Sequence, residues 1–150
     1  MEIPTGQDEK FMRVALNEAR EALNRGEVPI GAVIVAPSGT IIGRGYNLVE
    51  TLTDATAHAE MQAITAASSA LGGKYLTDCT LYVTVEPCTM CAGAMAWSQL
   101  GRLVYGATDP KRGYSRHGRQ LLHPRTGVTA GIMEEECGGL VSDFFKKLRA

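Results

Sequence analysis

Hydrophobic positions recur with a helical period near both ends of the chain. From about Asp8 to Arg25, apolar side chains return every three or four residues. This spacing predicts a helix with one buried face that ends at Gly26. A second amphipathic helix is predicted close to the C-terminus. Its apolar stripe consists of Cys137, Leu140, Val141, Phe144, Phe145 and Leu148.

Short apolar runs rich in β-branched residues lie between these two helices. VPIGAVIVA (28–36) and IIGRGYN (41–47) flank the turn sequence PSGT and predict a β-hairpin. TLYVTV (80–85) is apolar enough on both faces for the middle of a sheet, and RLVYG (102–106) predicts a fourth strand. VTAGIM (128–133) is the candidate for a fifth strand.

Two further helices are predicted between the strands. The first runs from about Ala57 to Leu71, with Asp54 or Thr56 as its cap and two glycines at its end. The second, TMCAGAMAWSQ (89–99), lacks a polar face and is predicted to be buried. Strands separated by helices pair in parallel through right-handed crossovers. The expected fold is therefore α/β, with three α/β/α layers around a central mixed five-stranded sheet.

Length and charge narrow the class of protein further. With 150 residues, 45% of them hydrophobic, the chain is expected to form a single domain over residues 1–150. A formal net charge of −1 predicts no partner, so a nucleic-acid site would have to be a local basic patch. The start MEIPTGQDEK lacks the features of a signal peptide, and no run approaches the roughly 18 apolar residues of a membrane span. We therefore expect a cytoplasmic protein without membrane contact, in which disulfides are disfavoured.

The stretch EPCTMCAG (86–93) is the first indication of chemistry. Pro87 suits the first turn of a helix, so Cys88 and Cys91 would share one face near a helix N-terminus. The free backbone N–H groups and the helix dipole stabilise thiolates there, and the thiolate is the form of cysteine that binds metal. Zinc takes four ligands, drawn mostly from Cys and His, so the two thiolates would need partners.

The best third ligand is His58, in AHAE (57–60), at the start of another predicted helix. One imidazole and two thiolates leave the fourth zinc position open for water, which is the pattern of a catalytic site. Glu60 would then transfer protons as an acid and base. A structural site would be expected to supply a fourth Cys or His at matching spacing, and none is evident. Cys79 and Cys137 are interpreted as buried core thiols.

HAE followed after a strand by PCTMC is the H-x-E…P-C-x-x-C signature of the zinc-dependent nucleobase and nucleoside deaminases, whose fold is cytidine deaminase-like. Within that superfamily the chain resembles the bacterial tRNA-specific adenosine deaminases. The resemblance rests on EVPIGAVIV (27–35), GRGYN (43–47), DATAHAEMQAI (54–64), LYVTVEPCTMCAGAM (81–95) and GRLVYGATDP (101–110). It implies a hydrolase of C–N amidine bonds that converts the wobble adenosine of a tRNA anticodon to inosine and releases ammonia.

The same resemblance implies roles for individual residues. The metal ligands would be His58, Cys88 and Cys91, which would hold one Zn²⁺ per subunit with bound water or hydroxide. The catalytic acid and base would be Glu60, and Asn47 would orient the base. The substrate-binding residues would be Asn47, Ile30, Ala57 and Pro87. The resemblance also implies a homodimer whose partner is the anticodon loop of tRNA.

Residues 107–127, ATDPKRGYSRHGRQLLHPRTG, depart from the family pattern, because RGYSRHGRQ replaces the small residues that usually follow DPK. The segment is basic, as phosphate contacts require, and it carries an aromatic residue suited to stacking on an unpaired base. The candidate RNA-contacting residues are Lys111, Arg112, Tyr114, Arg116 and Arg119. A solvated surface loop and a flap over a small substrate are the alternative interpretations.

Three functions are compatible with these features. The first is a tRNA adenosine deaminase. The alternative is a deaminase of a free nucleobase or nucleoside, guanine or cytosine, that uses the same zinc chemistry. The third is a zinc-stabilised binding module on an inert deaminase scaffold, which the intact Glu60 disfavours.

Overall fold

The computed structural model describes residues 6–149 as a β-sheet surrounded by helices. The strands are β1 Gly31–Val35, β2 Ile41–Tyr46, β3 Thr80–Val85, β4 Arg102–Ala107 and β5 Gly127–Ala130. The helices are α1 Asp8–Asn24, α2 Val49–Leu52, α3 Ala59–Leu71, α4 Thr89–Trp97 and α5 Glu134–Arg149. Two one-turn 3₁₀ helices, Tyr114–Arg116 and Arg119–Leu121, lie between β4 and β5.

The five strands form one mixed sheet in the order β2-β1-β3-β4-β5. β1 pairs antiparallel with β2, as the predicted hairpin requires, and also with β3, whereas β3, β4 and β5 run parallel. β3 occupies the centre and every one of its residues is buried, which confirms the prediction from its composition. β5 ends at Ala130, three residues before its predicted end, where Gly131 adopts a φ of +88°.

Helices cover both faces of the sheet, so the predicted three-layer architecture is confirmed. Side chains alternate along each strand and divide the core into two clusters. The cluster on the α3 and α4 side includes Ala32, Ile34, Leu81, Val83 and Leu103. The cluster on the α1 and α5 side includes Val33, Val35, Tyr82 and Val104.

Helix α3 lies in close contact with β2 because both elements carry small residues. A Cβ added at Gly43 would lie 2.4 Å from the carbonyl oxygen of Ala63. One added at Gly45 would lie 2.3 Å from the carbonyl oxygen of Ala59. Neither clash is with a movable side chain, so a larger residue at either glycine would push the helix away. The contact thus fixes the N-terminal end of α3, next to the predicted histidine ligand.

A buried ion pair ties the start of α1 to the sheet. Arg102 donates two hydrogen bonds of 2.7 Å to the carboxylate of Asp8, and the Tyr82 hydroxyl donates a third of 2.9 Å. Burial opposes the negative charge of Asp8, but these hydrogen bonds outweigh it and hold the pKa of the carboxyl below its ordinary value. This contact lies on the face opposite α3 and α4.

The start of α3 differs from its prediction. The helix begins at Ala59, with His58 in the N-cap position, whereas the sequence pattern placed its start near Ala57. Asp54 does not cap it. The Asp54 carboxylate instead accepts hydrogen bonds of 2.8 and 2.7 Å from the backbone N–H and the hydroxyl of Thr56, within the preceding turn. The short helix α2 was not predicted.

Two helices are more exposed than their apolar composition predicted. In α5, Cys137 is fully buried, but Phe145 is 37% and Leu148 is 69% exposed, so the core covers the stripe only near the start of the helix. In α4, Trp97 is 87% exposed.

Cys79 and Cys137 are buried free thiols, as predicted. No helix within residues 6–149 combines the length and the apolarity that a membrane span requires.

Candidate active site

The three metal-ligating side chains predicted from the sequence meet in the structure. The Nδ1 atom of His58 lies 3.5 Å from the Sγ of Cys88 and 3.5 Å from the Sγ of Cys91, and the three donor atoms lie within 4.8 Å of one another. Zn–S bonds of about 2.3 Å and Zn–N bonds of about 2.0 Å in a tetrahedron separate such N and S atoms by roughly 3.5 Å. The spacing and chemistry of the donors therefore fit a zinc ion.

Local backbone geometry places these ligands. His58 and Cys88 each precede a helix in extended conformation, and Cys91 lies in the first turn of α4. The N-termini of α3 and α4 therefore converge beyond the carboxyl end of β3, where ligand sites of α/β sheets are usually found. Unpaired N–H groups at both helix starts favour negatively charged groups in this region.

Glu60 lies in the first turn of α3 and is only 4% exposed. Burial raises the pKa of Glu60 to about 7, and the negative charge of Cys88 adds to the rise. A backbone N–H and the nearby His58 oppose it. A carboxyl group that titrates near neutral pH is able both to accept and to donate a proton, as an acid–base catalyst must.

The two thiols of the cluster differ in proton affinity. A hydrogen bond from Cys91 lowers the pKa of Cys88 to about 4, against the opposing effect of burial, and His58 lowers it further. The same hydrogen bond and burial raise the pKa of Cys91. Cys88 is thus the thiolate of the pair, and metal binding would displace the proton of Cys91.

Asn47, at the end of β2, carries an unsatisfied polar atom. The residue is 8% exposed, its backbone N–H donates to the Ile30 carbonyl at 3.1 Å, and its Nδ2 donates to the Val28 carbonyl at 3.5 Å. Its Oδ1 is buried and has no hydrogen-bond partner among the described residues. Unpaired buried acceptors are rare in folded proteins, so this oxygen is a candidate for contact with a ligand.

The other predicted substrate-binding residues are apolar, and each is buried or partly buried. Ile30 is partly buried and packs against that core. Ala57 is 1% exposed and immediately precedes the ligand His58. Pro87 is buried and immediately precedes the ligand Cys88. Ala57 and Pro87 thus each adjoin a ligand in the chain, and Ile30 adjoins Asn47 through its carbonyl.

Residues 109–115, which we call the rim loop, lie beside the cluster. Gly113 forms an isolated β-bridge with Cys88. Within the loop, Lys111 and Arg112 are exposed, and neither side chain has a hydrogen bond or an ion pair with another described residue. The Cys88 hydrogen bond raises the pKa of His58 above its ordinary value, and the positive charge of Arg112 opposes part of this rise. Arg112 is therefore near enough to the cluster to act on it.

Two further basic side chains of this region donate hydrogen bonds to backbone carbonyls. Arg116 donates a hydrogen bond of 2.6 Å to the Lys111 carbonyl. Arg119 donates to the carbonyls of His123 and Thr126. Both guanidinium groups were candidates for RNA contact because of their charge, but in the structure they bond to the backbone of residues 111–126.

Tyr114, a candidate for stacking on an unpaired base, is buried in the structure. The residue is 3% exposed and its ring packs edge-on against Tyr105, with 6.4 Å between ring centroids. Its backbone N–H donates to the Pro87 carbonyl at 2.9 Å, so the loop turns inward at this point. A ring buried in this way is not available for stacking on a base.

Two buried glutamates near the site were missed. Glu86 is 5% exposed and accepts hydrogen bonds from the backbone N–H groups of Asp109 and Ser115. Glu27 is 1% exposed and accepts bonds from two N–H groups at the start of α2 and from the Thr51 hydroxyl. The available signal was an acidic residue at the edge of an apolar run, in TLYVTVE and in EVPIGAVIV. Such residues are seldom buried without partners.

A three-layer α/β/α fold that presents a His-Cys-Cys cluster beside a buried glutamate defines the class of zinc-dependent deaminases. Comparison with known families agrees with this class. The family model of the cytidine and deoxycytidylate deaminase zinc-binding region matches residues 5–107. That match covers all three candidate ligands, Glu60 and Asn47.

Individual relatives show to which branch of the zinc-dependent deaminases the chain is most similar in sequence and structure. The chain is 49% identical over 148 residues to the tRNA-specific adenosine deaminase of Bacillus subtilis (strain 168), which covers 95% of this chain and 91% of that protein. A solved structure from a study of A-to-I editing by tRNA:A34 deaminases is 44% identical, with a TM-score of 0.81 and coverage of 87% of this chain and 98% of that one. The chain therefore belongs to the cytidine and deoxycytidylate deaminase family and, within it, to the tRNA-specific adenosine deaminases.

A guanine deaminase from Bacillus subtilis is also similar in structure. It is 45% identical, with a TM-score of 0.63, but the match covers only 67% of this chain and 64% of that one. The zinc-dependent deaminase core is thus shared with relatives named for a free base, whereas relatives at 44–49% identity over more than 90% of this chain are named for tRNA.

Proposed function

We propose that this protein is a hydrolytic deaminase that converts the wobble adenosine of a tRNA anticodon to inosine and releases ammonia. The observation that carries the chemistry is the buried Glu60 beside the three converging donors of His58, Cys88 and Cys91. The tRNA substrate is supported by the near full-length similarity to relatives named for that activity. A tRNA substrate and free thiols suit the reducing cytoplasm, where we place the enzyme.

Proton transfer is the role we assign to Glu60. His58, Cys88 and Cys91 would hold the zinc ion, which when bound supplies a Lewis acid that lowers the pKa of water toward neutrality. The Glu60 carboxylate takes a proton from the water that attacks C6 of adenine and delivers a proton to the ring nitrogen N1. It then takes the second proton of that water from the hydroxyl group now on C6 and passes it to the departing amine, so that ammonia leaves and a carbonyl remains. Its own pKa of about 7 suits both directions of transfer.

Base recognition is the role we assign to Asn47. Its buried Oδ1 has no partner among the described residues, and an acceptor left in that state costs about 1–3 kcal/mol. A hydrogen-bond donor on the bound nucleoside would remove this cost and fix the orientation of the base. Ile30, Ala57 and Pro87 would form apolar walls around the base, since Ala57 and Pro87 each precede a ligand and the Ile30 carbonyl accepts a hydrogen bond from the backbone N–H of Asn47.

RNA backbone recognition is the role we assign to Lys111 and Arg112. Both side chains are exposed on the rim loop, and neither is engaged by another described residue. Cations in such positions bind phosphates and release counterions, which makes the affinity depend on salt. Arg116 supports this surface indirectly through its hydrogen bond to the Lys111 carbonyl.

We also propose that the enzyme is a homodimer that associates through the outer side of α3 and α4. Trp97, at the end of α4, is 87% exposed. Leu71, the last residue of α3, and Tyr75, shortly after it, are each about half exposed. Tyr75 and Trp97 line one shallow depression. An exposed apolar group of this size is typical of an association surface. Light scattering should give a dimer for the wild type and a shift toward monomer for Trp97→Ser, and a monomeric wild type would contradict the proposal.

One assay tests the proposed reaction. The zinc-loaded protein is incubated with an anticodon stem-loop that carries a wobble adenosine and, separately, with guanine, cytosine and adenosine, and ammonia release and inosine formation are measured. We expect inosine in the RNA only, and a loss of about 10²–10⁴-fold in rate for Glu60→Gln with zinc content unchanged. Turnover of a free base without turnover of RNA would contradict the substrate, and RNA binding without ammonia release would contradict an enzyme.

Guanine deamination is the second candidate function. It is favoured by the 45% identity to the Bacillus subtilis guanine deaminase over two thirds of this chain. The same zinc ligands and Glu60 would serve, and the rim loop would cover a small molecule instead of contacting RNA. Guanine in the assay above distinguishes this candidate directly.

A further inference from the structure

Glu86 holds the rim loop at both ends through one buried carboxyl group. Its Oε1 accepts a hydrogen bond of 3.1 Å from the backbone N–H of Asp109, and its Oε2 accepts one of 3.0 Å from the backbone N–H of Ser115. The two donors are six residues apart, at the two ends of the loop. Since each oxygen accepts a bond from a backbone donor, the contact needs the acceptors of a carboxylate.

The loop between these ends fits closely around the carboxyl group. A Cβ added at Gly113 would lie 2.3 Å from the carboxyl carbon of Glu86, so only glycine fits there without a shift. Gly113 also forms the bridge to Cys88, and Tyr114 donates to the Pro87 carbonyl at 2.9 Å. The loop is therefore held against the segment that carries a predicted metal ligand.

Inside the loop, Asp109 determines the path of the two exposed cations. Its Oδ1 accepts hydrogen bonds from the backbone N–H groups of Lys111 at 3.1 Å and Arg112 at 3.0 Å. The backbone of both basic residues is thus fixed relative to Asp109, and Asp109 is fixed by Glu86. A connected set of hydrogen bonds runs from the end of β3 to the two cations.

We propose that Glu86 is a positioning residue that couples the metal-ligand segment to the rim loop, so that Lys111 and Arg112 are held in place to bind the RNA backbone beside the edited nucleotide. This inference rests on the proposed function. Glu86 does not itself touch substrate. Its effect is to remove the loop motion that RNA binding would otherwise have to restrict.

The charge of Glu86 and its hydrogen bonds predict opposite effects of Glu86→Gln. Removing a negative charge near a phosphate-binding surface should tighten RNA binding. Glu86→Gln also replaces one acceptor oxygen by an NH₂ group, which cannot accept the hydrogen bond of the backbone N–H that it faces. One end of the loop should then be free, and RNA binding should weaken. The sign of the change in affinity therefore separates positioning from simple electrostatics.

The experiment compares the zinc-loaded wild type with Glu86→Gln, Gly113→Ala and the double variant. Glu21→Gln, an exposed glutamate on α1, controls for loss of one negative charge. Amide hydrogen exchange of residues 109–115 is followed by mass spectrometry, together with zinc content and with KM and kcat for the anticodon stem-loop.

For both single variants we expect faster exchange confined to the rim loop and a KM about tenfold higher, with kcat within about twofold and zinc retained. The double variant should be little worse than either single variant, because both break the same contact. Tighter RNA binding by Glu86→Gln, unchanged exchange in the rim loop, or faster exchange spread evenly over the whole chain would each overturn the proposal. A wild type that does not edit the stem-loop would refute the proposed function, and loop exchange would still decide whether Glu86 positions the loop.

Discussion

The metal-ligand segments and the rim loop border the same site but are held in place by different means. His58 and Cys88 lie at helix starts whose positions follow from the packing of α3 and α4 on the sheet. The rim loop is held by a few hydrogen bonds, chiefly those to Glu86 and Asp109. The predicted metal ligands are therefore held by the packed core, and the side chains proposed to contact RNA are held by a loop. This difference explains how the loop departs from the family pattern while the zinc signature is retained.

Removing a predicted ligand should produce the largest effect, because it acts on both chemistry and stability. We expect Cys88→Ala to lose zinc and to reduce deamination by a factor on the order of 10³ or more. The melting temperature of the zinc-loaded protein should fall by roughly 5–10 °C, since the ion would no longer link the starts of α3 and α4. Metal analysis and a melting curve check both parts.

The matched control for this variant is Cys79→Ala. Cys79 is also a buried thiol, 3% exposed, but it lies outside the ligand cluster. We expect it to keep stoichiometric zinc and normal turnover while losing a little stability through the small cavity. Stoichiometric zinc in Cys88→Ala would show that the ligand assignment is wrong.

Asp8→Asn should have the next largest effect, and it should change stability alone. The variant leaves Arg102 without its charged partner on the face of the sheet opposite the site. Breaking a buried pair from one side costs about 3 kcal/mol. Urea unfolding should reveal this loss, with KM for the stem-loop unchanged, since no part of the rim loop contacts Asp8.

The pH dependence of this effect follows from the lowered pKa of Asp8. The folded pKa lies below the unfolded value of about 3.9, so the stabilisation is complete above about pH 5 and is lost as the pH falls through the folded pKa. The stability gap between wild type and Asp8→Asn should therefore be constant from pH 5 to 7 and shrink below pH 4. Glu9→Gln, an exposed neighbour, should show no such gap. A gap that widens in acid would contradict the assigned pair.

The features that the sequence predicted well are those encoded within one segment. β3 was predicted at residues 80–85 and is observed there, because its run of apolar residues suits only a buried strand. The ligand set was predictable because Cys88 and Cys91 are one helical turn apart and each helix start exposes N–H groups. The fold class followed from the alternation of strands and helices.

The features that were missed depend on contacts between distant segments. Helix α2 is stabilised by Glu27, more than twenty residues earlier in the chain, so no local pattern indicated it. Tyr114 was a candidate for base stacking because its neighbours are basic, but its ring enters the core where the loop meets Pro87. The sequence could not indicate that the Oδ1 atom of Asn47 lacks a hydrogen-bond partner among the described residues. The lack of a partner depends on which residues surround the side chain in the folded protein.

Arg112→Ser should give the smallest effect and the most direct test of the difference between the two regions. Arg112 is exposed without a described partner, whereas Arg116, in the same segment, already donates to the Lys111 carbonyl. We expect Arg112→Ser to weaken stem-loop binding about fivefold and to lower the slope of log affinity against log salt by roughly 0.7, the value for one contact to single-stranded RNA. Zinc content and melting temperature should not change.

Arg116→Ser removes the same charge from the same segment, so it separates a phosphate contact from the general field of the protein. If Arg112 contacts a phosphate, Arg116→Ser should change the salt slope less and should instead loosen the loop, visible as faster amide exchange near Lys111. Equal losses of affinity in both variants, with equal changes in slope, would mean that RNA responds to the summed charge of the loop. The rim loop would then need no defined conformation, and its fastening to the core by Glu86 would have no role in binding.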